Sequence, residues 1–175
     1  MTCYDEDGNL EFFTRNYAPF NIIHELRNNS IHLKMVDVKA QVDLGWEIVK
    51  GLRYEFTGAV RYVKSDREHM IKEKSNMAEA YRADYNSTIR KNNNFLYKDP
   101  DHPEAEPVSV LPYGGFYNRT EDQLTSYDVR NSLKFNKKFG LHELNMIGGI
   151  QVKYADRQAF NNTGYGYQYE EGGNV

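Results

Sequence analysis

The sequence predicts an all-β fold, an antiparallel meander of about four long strands. Two regions alternate between apolar and polar residues, which is typical of strands with one apolar and one polar face. The predicted strands run for about 11 to 15 residues, whereas strands of globular proteins average about 5 or 6. Very short connections alternate with very long ones, as they do in barrels of the bacterial outer membrane.

The first predicted hairpin joins strands 36–48 and 52–64. In residues 36–48, VDVKAQVDLGWEI, every even position is apolar and most odd positions are polar or charged. The short turn Val49-Lys50-Gly51 follows, and residues 52–64 again carry apolar or small residues at most of their even positions. A short turn between two alternating runs predicts an antiparallel pair.

The second predicted hairpin joins strands 126–136 and 143–157 around the turn KKFGLH. In 126–136 the apolar residues fall at odd positions, beginning with Tyr127 and Val129. In 143–157 they fall at even positions, including Leu144 and Ile150. Each strand therefore has one apolar face, like those of the first hairpin.

Residues 66–125 form a predicted long loop, rich in charge, Asn and Pro. Asn76 and Glu79 form a candidate capping box before MAEAYRADY, so this loop is expected to hold one short helix. The chain ends, 1–30 and 158–175, are polar and predicted to be irregular. Loops this long in a compact domain are usually functional.

Composition excludes several classes of function. The 175 residues carry a net charge of −3, which gives no electrostatic basis for binding nucleic acid or an anionic membrane surface. No run of about 18 apolar residues occurs, so no transmembrane helix is predicted. Strands that cross a membrane in a barrel need only every second residue to be apolar, and they stay compatible with this composition.

The polar rows indicate what the second face of each strand contacts. In a transmembrane barrel the apolar face contacts lipid and the polar face lines an aqueous lumen, where charges pair across strands. In a soluble sandwich the apolar face is covered by a second sheet. The residues predicted to line the lumen are Asp37, Lys39, Asp43, Glu47, Arg53, Glu55 and Arg61.

Aromatic residues supply a second indication of a membrane. The chain has 14 Tyr and 9 Phe but one Trp. Tyr54 and Tyr62 are eight residues apart, which is about 26 Å along a strand and about 20 Å along the membrane normal after tilting. Aromatic girdles flank an apolar band about 25 Å tall in such barrels. The predicted interface aromatics are Trp46, Tyr54, Tyr62, Tyr127, Phe135 and Tyr154.

No motif indicates an enzyme or a cofactor. The five histidines lack ligand spacing, and no metal site is predicted. The stretch Asp5–Asn9 faintly resembles a calcium loop, but a hairpin turn fits it better. Four loop residues are candidates for binding a substrate: Tyr113, Phe116, Tyr117 and Arg119. Aromatic rings stack on sugars and pack on peptides, and the alternative is that these residues pack the loop onto neighbouring loops.

Several segments together resemble the SusC/RagA-type TonB-linked outer-membrane transporters. They are NIIHELRNNS, VDVKAQVDLGWEIVKGLRYEFTGAVRYV, REHMIKEKSNMAEAYRA, FLYKDPDHP, VLPYGGFYNRTEDQLTSYDVRNSLKFNKKF and DRQAFNNTGYGYQYEEGG. The resemblance covers most of the chain, from about Asn21 to Gly173. The order and spacing of these segments are specific for the family but do not identify a substrate.

The resemblance implies a segment of a 22-stranded barrel with long extracellular loops, located in the cell outer membrane. It implies import of glycans or peptides together with a SusD-like surface lipoprotein and the TonB complex. The chain lacks the signal sequence, TonB box and plug domain of that family, so it is expected to be part of the barrel. Produced alone in water, it is expected to aggregate. The alternative function is a soluble or surface-attached β-rich carbohydrate-binding module.

Overall fold

The structure is a computed structural model that describes residues 3–173. Its elements in chain order are strands β1 (Phe13–Arg15) and β2 (Ala18–Phe20), helix α1 (Ile22–Asn28), strands β3 (Asn29–Val49) and β4 (Leu52–Ile71), helices α2 (Asn76–Ala80) and α3 (Ser87–Asn92), and strands β5 (Gly115–Phe139) and β6 (His142–Tyr167). Strands β1 and β2 form an antiparallel pair. The other four form an antiparallel sheet in the order β3-β4-β5-β6.

The four long strands are those expected from the alternating pattern, but each extends beyond its predicted range. The added segments do not continue the alternation of the predicted ranges: in β3 the apolar residues Ile31, Leu33 and Met35 fall at odd positions, and the part added to β6, 158–167, has polar side chains on both faces. Contacts across strands nevertheless continue into them. Lys64 pairs with Glu121 at 2.9 Å, and the Tyr117 hydroxyl donates to Glu68 at 2.6 Å.

The connections differ greatly in length. Two-residue turns, Lys50-Gly51 and Gly140-Leu141, close the β3–β4 and β5–β6 hairpins. Both glycines have positive φ, 89° at Gly51 and 62° at Gly140, a conformation that glycine adopts without steric cost. Strands β4 and β5 are joined by residues 72–114, a shorter loop than the predicted 66–125. None of the helices described within residues 3–173 is long and apolar enough to cross a membrane.

The long connection contains two short helices, α2 and α3, instead of the single predicted helix. The predicted capping box of Asn76 and Glu79 does not form: the N-cap is Ser75, whose Oγ accepts the hydrogen bond from the Ala78 amide at 3.2 Å. Asn76 is inside the helix, and its amide donates to the carbonyls of Arg15 and Ala18. Serine and asparagine are both good N-caps, and only these tertiary contacts distinguish them.

The prediction that the chain ends 1–30 and 158–175 are irregular was wrong for residues 13–20, 22–30 and 158–167, and residues 1, 2, 174 and 175 lie outside the described residues. Residues 13–20 form the β1–β2 hairpin, α1 follows it, and β6 continues to Tyr167. Asn21 begins α1, with its side-chain oxygen accepting from the amides of Ile23 and His24. Residues Asp5–Asn9 form a turn in which the Asp5 carboxylate accepts from two backbone amides.

The chain divides into two compact units. The loop unit consists of the described residues of Met1–Leu33, Arg67–Thr120 and Asn161–Val175. The sheet unit consists of Lys34–Asp66 and Glu121–Phe160. The two units differ in how they are stabilised.

The loop unit has a small apolar core. Ile71, Ala78, Leu111 and Phe116 are buried together, and Tyr81 packs against them. Gly115 permits a close approach here, since a Cβ on it would collide with the Ile71 carbonyl oxygen. All the buried apolar residues recorded within residues 3–173 belong to this unit.

The sheet unit has no core. None of its residues is buried, and the structure describes all of them. A sheet with one apolar face is normally stabilised by burying that face against another element. Within this unit, side-chain contacts run across the strands of a single layer.

Candidate functional site

The polar face of the sheet unit carries a network of contacts between strands. Arg61 binds Asp37 through two hydrogen bonds, from Nε to Oδ1 at 3.0 Å and from Nη2 to Oδ2 at 2.6 Å. The Thr57 hydroxyl donates to Asp43 at 2.7 Å. These bonds join odd positions of β3 to odd positions of β4, which is the pairing expected of a shared face.

The network continues onto β5. Lys134 contacts Glu55 at 2.7 Å, and Arg53 contacts the same carboxylate at 3.3 Å. The sequence placed Arg53 and Glu55 on the polar face but gave no partner for them from the second hairpin. Strands β4 and β5 pair directly, and Lys134 is therefore beside Glu55.

A further carboxylate, Asp128 of β5, is contacted by side chains of β6. The Gln151 amide donates to its two oxygens at 2.8 and 3.0 Å, and Lys153 approaches it to 3.7 Å. Glu47, at the turn end of β3, accepts from the Gly51 amide at 3.2 Å. Each of these two carboxylates has a neighbouring donor.

A polar groove of about 480 Å³ opens on this face. Its charged lining residues are Lys39, Asp43, Arg61, Asp128 and Arg130. Gln41, Thr57 and Ser126 add amide and hydroxyl groups. Three of the seven residues predicted to line the lumen are at the groove: Lys39, Asp43 and Arg61. The other four are not among its lining residues: Asp37, Glu47, Arg53 and Glu55.

The opposite face is apolar and exposed. Every large apolar side chain at the even positions of β3 from Val36 to Ile48 is at least partly open to solvent, with 60 % of Leu44 and 69 % of Trp46 exposed. Val60 of β4 and Ile150 of β6 are also exposed, while Phe56 is half-buried. No second sheet within residues 3–173 covers this row.

Four of the six predicted interface aromatics are exposed, and the other two are half-buried. The exposed ones are Trp46, Tyr62, Tyr127 and Tyr154; the half-buried ones are Tyr54 and Phe135. The rings of Tyr127 and Tyr154 stack with their centroids 6.2 Å apart, so these two lie side by side on neighbouring strands. The Tyr54 hydroxyl donates to the Asn131 side chain. That bond joins different hairpins, and alternation within each hairpin does not predict it.

The four loop candidates do not form one surface. Phe116 is 3 % exposed and packs edge-to-face on Tyr81 in the core of the loop unit, so it is not available to a ligand. Tyr113 is 63 % exposed and lies under the Arg82 guanidinium, 5.6 Å from the ring centroid. Arg119 is half-buried on β5.

Tyr117 is also held by structural contacts. Its ring stacks on Tyr167 with a centroid separation of 5.0 Å, and its hydroxyl donates to Glu68. The hydrogen bond to Glu68, with a smaller contribution from burial, raises the pKa of Tyr117 to about 12. A tyrosine that donates to a carboxylate in this way positions the loop and remains protonated.

Several residues at the groove were not among the predicted site residues. Gln41 is on the predicted strand 36–48 and Thr57 on the predicted strand 52–64, and Ser126, Asp128 and Arg130 come from β5. Alternation along 126–136 indicates a polar row at the even positions, but only the order β3-β4-β5-β6 brings that row beside the first hairpin.

In the part of the chain that the structure describes, no group of three or more His, Cys, Asp or Glu side chains is arranged to hold a metal ion.

Comparison with known proteins does not place the chain in a family. The sequence matches no known family, and no curated protein is detectably similar to it.

Proposed function

We propose that this chain forms part of the wall of a transmembrane β-barrel in the outer membrane. The single observation that carries the proposal is the sheet unit without a core. Its apolar face is exposed and its polar face is cross-linked by hydrogen bonds and ion pairs. Lipid is the environment that accepts such an apolar face without a protein partner.

The aromatic residues support the same proposal. Tyr127 and Tyr154 stack on neighbouring strands, and Tyr62 is exposed at the corresponding end of β4. Beyond Tyr62 the same side of the strand becomes charged, with Lys64 paired to Glu121 at 2.9 Å. A ring of tyrosines between an apolar band and ion pairs is the sequence of environments expected from bilayer core to water.

The barrel proposed here is that of a TonB-dependent transporter similar to the SusC/RagA family, which imports glycan or peptide nutrients. In that setting the polar face lines the lumen. A SusD-like lipoprotein and the TonB complex are the proposed partners. The alternative, a carbohydrate-binding module, requires a second sheet over Val38, Val42 and Leu44, and the exposure of all three favours the barrel wall.

Trp46 provides the test, since it is the only tryptophan of the chain. The full chain is incorporated into phosphatidylcholine vesicles with brominated acyl chains, which quench tryptophan fluorescence on contact. Trp46 is expected to be quenched strongly by these lipids and weakly by aqueous iodide, because it is exposed on the apolar face.

The matched control moves the probe by one residue. The double variant Trp46→Phe, Glu47→Trp transfers the only tryptophan to the polar face, since successive side chains of a strand point to opposite faces. Its fluorescence is expected to respond to iodide and little to the brominated lipid. Equal quenching of the two proteins by brominated lipid would overturn the proposed membrane orientation.

A further inference from the structure

We propose that the polar groove of the sheet unit binds a sugar that carries a carboxylate. This rests on the proposed function in one respect, because it assigns a substrate class to the lumen of that barrel. The contacts that carry it lie wholly within the sheet unit.

The carboxylates at the groove already have partners. Asp43 accepts from the Thr57 hydroxyl at 2.7 Å and from the Gln41 amide at 2.9 Å. Asp128 accepts twice from Gln151 and lies 3.7 Å from Lys153. The oxygens of Asp43 and Asp128 are therefore already engaged as hydrogen-bond acceptors by neighbouring side chains.

Two cations at the groove are left without such partners. Arg61 is occupied by Asp37, but Lys39 and Arg130 make no side-chain hydrogen bond or ion pair with any described residue of the chain. The charge of Lys39 acts on Asp43, yet no contact within 4.0 Å joins the two. The unpaired groups of the groove are thus positively charged donors, and an oxyanion is the ligand group that they fit.

The remaining lining groups indicate a sugar as the carrier of that oxyanion. Gln41 uses its amide nitrogen on Asp43, which leaves its oxygen as an acceptor, and the Ser126 hydroxyl is both donor and acceptor. Sugar hydroxyls need such mixed partners. The volume of about 480 Å³ lies within the range of about 300–1,000 Å³ of small-molecule sites.

Isothermal titration calorimetry with trigalacturonate tests the inference on the full chain in detergent micelles. Trigalacturonate is expected to bind and neutral maltotriose is not. Lys39→Gln and Arg130→Gln are each expected to weaken binding about tenfold, since each removes one charge-assisted hydrogen bond to the carboxylate. Triglutamate carries carboxylates without sugar hydroxyls and is expected to bind more weakly than trigalacturonate.

Lys138→Gln is the matched control. It removes the same charge from the same face, but Lys138 pairs with Glu143 at 3.8 Å and is not among the groove residues. Its affinity for trigalacturonate is expected to equal that of the unchanged chain.

Three results would overturn the inference: absence of trigalacturonate binding, equal affinity for maltotriose, or equal losses in Lys138→Gln and the two groove variants. Triglutamate binding as tightly as trigalacturonate would overturn the assignment to a sugar. The Trp46 quenching experiment fails or succeeds independently. Quenching by lipid without uronate binding therefore overturns this inference alone, and uronate binding without quenching overturns the membrane proposal alone.

Discussion

Arg61 and Asp37 form a two-point contact between β3 and β4, with both carboxylate oxygens bound by one guanidinium. Such bidentate geometry is directional and fixes which residues of two strands lie opposite each other. A shift of one residue would move every side chain of β3 to the other face. This pair therefore contributes to the register that keeps the polar and apolar rows apart.

Exchanging the two residues tests that role. Asp37→Arg and Arg61→Asp are each expected to lower the urea midpoint of the micelle-bound sheet, because each places like charges opposite one another. The double variant is expected to recover part of the loss. The measurement is a double-mutant cycle at low ionic strength, where a half-exposed pair is least screened. Strict additivity of the two single effects would show that the pair does not set the register.

Asn93 is expected to be essential to the fold of the long connection. It is fully buried, and its amide nitrogen donates to the carbonyls of Ala80 at 2.8 Å and Ala83 at 3.0 Å. Asn93→Ala leaves both carbonyls without that donor and is expected to destabilise the loop unit by about 2–4 kcal/mol. Hydrogen exchange of the amides in residues 76–96 measures the loss.

The adjacent Asn94 is the control for that substitution. It is the same residue type one position away, but it is exposed. Asn94→Ala is expected to change stability by no more than about 0.5 kcal/mol. Equal effects at the two positions would contradict the role given to the Asn93 amide.

His69 is expected to make the loop unit less stable in acid. Burial, and then the charge of Arg67, lower the pKa of His69 below its ordinary value. The unfolded chain therefore binds a proton at His69 more readily than the folded chain. Stability is present above the ordinary value of about 6.5 and is lost as the pH falls from there towards the lower folded-state pKa.

Hydrogen exchange at several pH values, corrected for intrinsic rates, measures this dependence. His69→Gln keeps a side-chain donor for Asn29, which the His69 ring contacts at 2.7 Å, but has no proton to gain. Its protection is expected to change less between about pH 5 and 7 than that of the unchanged chain. The same loss of protection in both proteins would assign the acid sensitivity to another group.

The strands were predictable where their two faces differ in polarity. Residues 36–48 and 143–157 lie inside β3 and β6, and alternation is the direct consequence of one apolar and one polar face. Residues 158–167 continue β6 with polar side chains on both sides, so nothing in their pattern separated strand from loop. The backbone pairing that extends them is a tertiary contact.

The residues of the candidate groove were likewise predictable from the sequence only in part. Lys39, Asp43 and Arg61 were placed on the polar face by their odd positions alone. Asp128 and Arg130 reach the same groove because β4 and β5 are neighbours, although a long connection separates them in the chain. Phe116 was a candidate for binding a substrate, but it lies in the core of the loop unit. Nothing in the sequence of a polar loop distinguishes an aromatic residue that binds a ligand from one that packs in a core.

The sequence by itself determined the two faces of the long strands, because side-chain direction in a strand depends only on the parity of the position. Only the tertiary structure decided that Lys134 is the partner of Glu55, that Asn76 joins α2 to the β1–β2 hairpin, and that the apolar row is left open. Those facts depend on which strands pair and on what covers them. Pairing is set by contacts between residues far apart in the chain, and the local pattern carries no information about it.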